Sequence, residues 1–144
     1  MGPNPYFFLV GSPRSGTTLL RRILGAHSRL AVAPESHWVA DFFKNRVGLD
    51  PEGLVTDQLI SRVVAHPKFS NFGMEPQAVA DQLRAGERPD YATFVGRIFE
   101  QYGKAHGKPL VGDKTPNYVR QIHVLHALWP QSRFVHLIRD GRDV

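Results

Sequence analysis

The sequence contains no cysteine. That absence excludes disulfide bonds, thiolate zinc sites and a cysteine nucleophile, and it suits a reducing compartment. No apolar run approaches the roughly 20 residues that a membrane-spanning helix needs. Met1–Tyr6 also lacks the basic and apolar regions of a signal peptide. The sequence therefore predicts a cytoplasmic protein without a membrane span.

A dense run of basic residues is also missing, although the chain is basic overall. Its 144 residues carry 18 Lys and Arg against 13 Asp and Glu, a formal charge of +5. Such a balance fits nucleic acid, an anionic membrane or a small anionic ligand. Because the basic residues are scattered, the small anion is favoured and no nucleic-acid partner is expected. Composition and length predict a single globular domain over residues 1–144.

Short apolar strands alternate with helical patterns along the chain. The predicted strands are Tyr6–Val10, Leu30–Ala33, Pro109–Asp113 and Arg133–Ile138, and a helix over Thr17–Ala26 follows the first of them. Strands separated by helical crossovers are typical of a parallel sheet with helices on its faces. The sequence therefore predicts an α/β fold.

Capping signals predict the bounds of further helices. Pro34–Glu35 reads as a helix start, as does Thr115–Pro116, because proline suits the first helical turn. Asp90 is a predicted N-cap, and Gly103 is the predicted stop of the helix that follows. That helix carries an apolar stripe interpreted as core: Tyr91, Phe94, Val95, Ile98, Phe99 and Tyr102.

The strongest functional signal is the segment Gly11–Thr18, Gly-Ser-Pro-Arg-Ser-Gly-Thr-Thr, which we call the glycine loop. Glycines and successive N–H groups before a helix can cradle an anion. Arg14 adds a permanent charge, and Thr17 and Thr18 add hydroxyls. A turn that only caps a helix is the alternative, but it would not need these three side chains. Thr17 replaces the lysine of a Walker A loop, which argues against a nucleoside triphosphatase.

The stretch Pro13–Leu20, Pro-Arg-Ser-Gly-Thr-Thr-Leu-Leu, is similar to the 5'-phosphosulfate-binding loop of sulfotransferases that use 3'-phosphoadenosine 5'-phosphosulfate (PAPS). Many members carry lysine where Arg14 stands, whereas the tyrosylprotein branch carries arginine. The resemblance implies a P-loop sulfotransferase fold and PAPS as the donor, with adenosine 3',5'-bisphosphate as the product. It also implies that Arg14 and the backbone amides of Ser15, Gly16, Thr17 and Thr18 hold the 5'-phosphosulfate.

The segment Arg133–Val144 resembles the family's 3'-phosphate-binding region, and Arg139 matches its arginine. The arginine would lie at the carboxyl edge of a parallel sheet, where ligands bind. An ion pair of Arg139 with Asp140 or Asp143 is the alternative. The family's 3'-phosphate serine would fall beyond Val144, and the sequence stops where a new element begins, so we expect a fragment of a longer chain.

Glu35 is the candidate general base. A positioned carboxylate can take the proton of an attacking hydroxyl, and Glu35 falls where tyrosylprotein and related sulfotransferases carry a glutamate. The alternative is a first-turn glutamate that interacts with the helix dipole. The cytosolic small-molecule branch uses a histidine instead, which makes His37 a weaker candidate.

Lys114 lies in Gly112–Pro116, Gly-Asp-Lys-Thr-Pro, between a predicted strand and a predicted helix. The resemblance implies that a lysine in a Lys-x-Pro context stabilises charge on the bridging oxygen of the departing phosphate. An exposed ion pair with Asp113 is the alternative, since such pairs are common and contribute little.

The sequence thus predicts transfer of a sulfuryl group to a hydroxyl acceptor, with Glu35, Lys114 and Arg14 as catalytic residues. The helical residues 40–105 are expected to wall the acceptor pocket. His123 and His126 have a spacing that suits a metal, but no third ligand accompanies them and no metal is expected. A P-loop kinase or nucleoside triphosphatase and a non-catalytic nucleotide-binding module are the alternative functions.

Overall fold

Four parallel strands form the centre of the protein in a computed structural model that describes residues 6–143. The strands are β1 (Phe7–Gly11), β2 (Leu30–Ala33), β3 (Leu110–Lys114) and β4 (Arg133–Leu137), in the order β2-β3-β1-β4. Each begins and ends within one residue of its predicted bounds. The prediction that Met1–Tyr6 lacks the regions of a signal peptide concerns mainly residues 1–5, which lie outside the described residues.

Six α-helices accompany the sheet in the described part of the chain. They are α1 (Thr17–Gly25), α2 (Trp38–Lys44), α3 (Asp57–Val64), α4 (Pro76–Arg84), α5 (Tyr91–Ala105) and α6 (Ile122–Leu128). Short 3-10 helices span Phe69–Phe72, Pro116–Arg120 and Gly141–Asp143. The predicted α/β fold is confirmed.

The two faces of the sheet carry different layers because side chains alternate along each strand. Phe8 faces α5 and the end of α6, with its ring 6.4 Å from Phe99 and 5.8 Å from Trp129, which directly follows α6. Leu9 points to the opposite face, and α1 packs against β1, β2 and β3 there. Both residues are fully buried, as expected for a central strand covered on both sides.

Helix α5 begins as its sequence predicts but ends later. Asp90 Oδ1 accepts a hydrogen bond of 2.8 Å from the Thr93 N–H, and the apolar stripe is buried throughout. Gly103 is not the stop, because α5 continues to Ala105. A Cβ on Gly103 would lie 2.7 Å from Val111 Cγ2 and 2.8 Å from Lys108 O. This glycine is needed for close packing against β3.

The predicted helix start at Pro34–Glu35 is wrong. Residues 34–37 are non-helical, and α2 begins only at Trp38. The segment does not form a helix, because the Ser36 N–H donates to Thr115 Oγ1 at 3.0 Å instead of to a backbone carbonyl of a helical turn. The Thr115 hydroxyl is therefore engaged in a tertiary contact. It makes no side-chain cap, and the predicted helix after it is divided into a 3-10 turn and α6.

The topology brings the functional segments together. The carboxyl ends of all four strands lie at one edge of the sheet, and the chain passes from β1 outward to β2 on one side and later to β4 on the other. In open parallel sheets, ligands bind at the carboxyl edge where the strand order reverses direction. The glycine loop follows β1 at this point.

Candidate active site

The structure brings Glu35, Lys114 and Thr18 into contact at the carboxyl edge. Lys114 Nζ lies 3.0 Å from Glu35 Oε1 and 3.3 Å from Thr18 Oγ1. The lysine side chain is 8% exposed, whereas that of Glu35 is 32% exposed. The interpretation of Lys114 as half of an exposed pair with Asp113 is wrong, since both residues are buried and Lys114 pairs with Glu35.

The second oxygen of Glu35 faces two more nitrogen-bearing side chains. His37 Nε2 lies 2.9 Å from Oε2, and Lys68 Nζ lies 4.0 Å from it. Burial on its own would raise the pKa of Glu35, but hydrogen bonds from His37 and Lys114 outweigh it and hold that pKa below its usual range. The carboxylate is therefore ionised near neutral pH. Because Glu35 lies outside any helix, the helix-dipole interpretation is wrong.

Lys68 was missed by sequence reasoning, because no motif surrounds it. It precedes the 3-10 helix Phe69–Phe72 and reaches Glu35 only through the tertiary fold. Burial and the nearby charges of His37 and Lys68 lower the pKa of His66, which lies beside them. Lys114, His37 and Lys68 thus all lie within 4.0 Å of the Glu35 carboxylate.

The glycine loop leads directly into the N-terminus of α1, and one of its residues differs from expectation. Gly16, directly before α1, has φ of 101°, which favours glycine. Ser15 is buried, and both its N–H (3.3 Å) and its hydroxyl (2.6 Å) donate to Ser12 O. Ser15 therefore closes the loop, and its amide is engaged within it. Arg14 is exposed, with φ of 66°.

Arg139 lies beside the same loop. It is exposed, and its Nη1 donates to Arg14 O at 3.4 Å. Asp140 pairs instead with Arg142, at 2.6 Å, so the ion pair proposed for Arg139 with Asp140 is not formed. A cavity of about 300 Å³ separates the loop from the end of β4; it is lined by Ser12, Ser15, His136, Leu137, Ile138, Arg139 and Gly141.

Gly11 allows this close approach of β4 to the loop. A Cβ on Gly11 would lie 2.6 Å from Leu137 O and 3.0 Å from Ser15 Oγ. Both neighbours are fixed, one being backbone and the other a hydrogen-bonded hydroxyl. The first glycine of the motif is thus required by packing between two strand ends.

Asp113 is a buried carboxyl directly beneath the site. Its Oδ1 accepts a hydrogen bond of 2.6 Å from the Thr115 hydroxyl, and its Oδ2 has no hydrogen-bond partner among the described residues. Burial raises the pKa of Asp113 to about 7, with the Ser36 and Thr115 hydroxyls acting in the opposite direction. This group therefore titrates near neutral pH.

The raised pKa predicts a pH-dependent stability. The folded state holds the Asp113 proton that the unfolded chain releases near its ordinary pKa of 3.8. The contribution is complete below that value and is lost as the pH rises through about 7. We expect the free energy of unfolding to fall over this interval by up to about 1.4 kcal/mol per pH unit. Urea unfolding from pH 4.5 to 7.5, compared with Asp113→Asn, isolates the effect. Parallel curves for the two proteins would contradict it.

No group of three or more His, Cys, Asp or Glu side chains could hold a metal ion within residues 6–143. His123 and His126 are both exposed on α6. No helix in the described part of the chain is long and apolar enough to cross a membrane.

Comparison with known proteins identifies the relatives of this chain. It is 31% identical over 134 residues to "Nodulation protein NoeE" of Sinorhizobium fredii, covering 92% of this chain and 28% of the relative. It is 26% identical over 139 residues to "Protein-tyrosine sulfotransferase 1" of Homo sapiens, covering 96% and 32%. The chain thus spans about a third of the length of these curated relatives.

The fold has a counterpart among solved structures. The "Sulfotransferase Domain from the Curacin Biosynthetic Pathway" matches with a TM-score of 0.53 at 23% identity, covering 96% of this chain and 48% of that one. At this identity the match supports the fold alone. A model of the "Sulfotransferase family" matches residues 5–144. Nearly the whole chain is matched, and the protein belongs to the sulfotransferase family.

Proposed function

We propose that this chain binds PAPS and transfers its sulfuryl group to a hydroxyl acceptor. The observation that carries the proposal is the position of Lys114, between the carboxylate of Glu35 and the hydroxyl of Thr18 on the glycine loop. Sulfuryl transfer needs a cation, a base and an anion cradle. The proposal assigns these roles to Lys114, Glu35 and the glycine loop, which lie together at one edge of the sheet.

The residues at this edge fit an anionic donor. The amides of Gly16, Thr17 and Thr18 at the start of α1, with Arg14, would hold the 5'-phosphosulfate. Arg139 lines the adjoining cavity of about 300 Å³, within the range of small-molecule sites. We assign it to the 3'-phosphate, the group that distinguishes this donor from ATP.

The proposed chemistry is an in-line displacement at sulfur. As the acceptor oxygen forms its bond to sulfur, Glu35 takes the hydroxyl proton. The bond from sulfur to the bridging phosphate oxygen breaks, and its electron pair leaves with adenosine 3',5'-bisphosphate. Lys114 stabilises that developing charge. When Lys114 turns from Glu35 to the leaving oxygen, the pKa of Glu35 rises and the carboxylate becomes a better base.

Residues 40–105 are proposed to wall the acceptor pocket. Lys68 supports this, because it extends from the helical region to within 4.0 Å of Glu35. A relative is named for sulfation of protein tyrosine, so a phenolic hydroxyl is one acceptor of the proposed class. The cytoplasmic location and the single domain stay predictions.

Nucleotide binding tests the proposal. We expect adenosine 3',5'-bisphosphate to bind the full-length protein without metal, more tightly than AMP or Mg-ATP. Arg139→Ala should weaken the bisphosphate about ten- to a hundredfold and leave AMP unchanged, since a charged hydrogen bond contributes about 1.5–3 kcal/mol. Isothermal calorimetry measures all three ligands. Arg133→Ala, at the opposite end of β4, is the matched control.

Three results would contradict the proposal. Equal affinity for AMP and the bisphosphate would show that Arg139 does not recognise the 3'-phosphate. Preference for Mg-ATP would favour a P-loop kinase or nucleoside triphosphatase. Bisphosphate binding without any transfer, unaffected by Glu35→Ala, would indicate a non-catalytic nucleotide-binding module.

A further inference from the structure

Buried hydrogen bonds join the segment that carries Glu35 to the strand that carries Lys114. The Thr115 hydroxyl donates to Asp113 Oδ1 at 2.6 Å and accepts from the Ser36 N–H at 3.0 Å. Asp113, Thr115 and Ser36 are fully buried. We call these three residues the Asp–Thr–Ser clamp.

The clamp has a defined direction. A hydroxyl has one hydrogen to donate and lone pairs to accept with. Because the Thr115 hydroxyl donates its hydrogen bond to Asp113, a lone pair of Thr115 Oγ1 remains to accept from the Ser36 N–H. Asp113 thus orients the hydroxyl, and the hydroxyl in turn fixes the backbone of Ser36.

Tyr118 anchors the same segment from a second side. Its hydroxyl lies 2.7 Å from Ser36 Oγ and accepts from the Val39 N–H at 3.1 Å. Tyr118 is also buried. Ser36 is therefore bound through both its backbone and its side chain.

The two ends of the clamp are covalent neighbours of the proposed reacting groups. Ser36 lies between Glu35 and His37, and Thr115 directly follows Lys114. Residues 34–37 belong to no helix or strand. His37 has φ of 59°, a value that persists only where the surroundings fix it. The clamp supplies the contacts that hold this irregular segment in place.

We propose that the Asp–Thr–Ser clamp sets the position of Glu35 against Lys114, and that Thr115 and Asp113 are positioning residues for the reaction. The expected effect on rate rests on the proposed function. The expected effect on geometry, the 3.0 Å contact between Lys114 Nζ and Glu35 Oε1, does not depend on that function. Neither Thr115 nor Asp113 is assigned a contact with the reacting atoms.

The geometric content is tested by carbon-13 NMR titration of Glu35 in the full-length protein. Thr115→Val keeps the side-chain shape but removes the hydroxyl, whereas Thr115→Ser keeps the hydroxyl. We expect the pKa of Glu35 to return toward its ordinary value in the valine variant, because the contact with Lys114 loosens. The serine variant should titrate like the wild type.

The catalytic content is tested by steady-state kinetics with PAPS and a phenolic acceptor. Displacement of a reacting group by about 1 Å can cost a hundredfold in rate, so Thr115→Val should lower kcat about ten- to a hundredfold. Affinity for adenosine 3',5'-bisphosphate should stay within twofold. Thr115→Ser should recover most of the rate. Rates are expressed per bisphosphate-binding site, so loss of folded protein does not count as loss of kcat.

A matched control separates positioning from stability. Tyr6→Phe removes a buried hydrogen bond of 3.5 Å to Gly96 O, and neither of these two residues lies near Glu35 along the chain. It should lower stability without changing kcat or the Glu35 titration. If Thr115→Val does not fold, Tyr118→Phe removes the second anchor and is expected to give the same two changes.

The positioning role of the clamp is refuted if a folded Thr115→Val or Tyr118→Phe protein has the kcat and the Glu35 titration of the wild type. It is also refuted if serine and valine at position 115 cause equal losses. A different result refutes the proposed function instead: wild-type protein that neither binds the bisphosphate nor transfers sulfate, while the Glu35 titration still depends on Thr115.

Discussion

Glu35→Gln is expected to lower kcat for sulfuryl transfer by about 10²–10⁴-fold, the usual contribution of a general base. Glutamine has nearly the shape of glutamate but cannot take the acceptor proton. The carboxylate is ionised because Lys114 and His37 donate to it at 3.0 and 2.9 Å. The loss should fall on kcat, with affinity for adenosine 3',5'-bisphosphate unchanged, and is measured by initial rates and calorimetry on the same samples.

His37 provides the comparison for that experiment. If Glu35 is the base, His37→Asn should reduce the rate much less than Glu35→Gln, because the histidine only donates to Oε2. The reverse ranking would assign the base to His37 and leave Glu35 as the residue that orients it. Glu75→Gln, at the exposed N-cap of α4, should not affect the rate.

Lys114→Met is expected to lower kcat by about 10²–10³-fold, the effect of removing one donor aimed at developing charge. The lysine is 8% exposed, and its charge therefore acts in a poorly solvated place. Methionine keeps the unbranched length of the chain without the ammonium. The rate is measured with a series of sulfuryl donors whose leaving groups differ in pKa. The loss of kcat caused by Lys114→Met should shrink as the leaving group becomes more acidic.

The same substitution has a second readout. Without its partner, Glu35 should titrate at a higher pKa, because the Lys114 hydrogen bond and charge lower it in the wild type. Lys104→Met, on the exposed side of α5, is the control for loss of a lysine. A Lys114→Met protein with wild-type kcat would contradict the assignment of this residue to the leaving group.

Local patterns were sufficient for the elements that depend on local interactions. The strand–glycine–helix order of residues 6–26 and the Asp90 cap each depend on contacts within a few residues, and both are confirmed. The motifs also identified Glu35 and Lys114 separately. Their assigned roles remain proposals, but the structure does bring the two side chains together.

The failures have a common physical cause, which is contact over a long sequence separation. Pro34–Glu35 has the composition of a helix start, yet Ser36 bonds to Thr115, a residue 79 positions away. Gly103 has the composition of a helix stop, yet β3 packs against it. Lys68 reaches Glu35 from a region without a motif. None of these contacts leaves a periodic signal in the sequence.

The alternation of β3 places Asp113 and Lys114 on opposite faces of the sheet, one toward the clamp and the other toward the glycine loop. Insertion or deletion of a single residue within β3 would exchange these faces and put a lysine in the core and a carboxylate beside the glycine loop. Homologues of this chain should therefore vary in length within the connection of residues 45–56 or 85–89, while the spacing from Gly112 to Pro116 stays constant. Gaps in that spacing would mark proteins that lack the proposed chemistry.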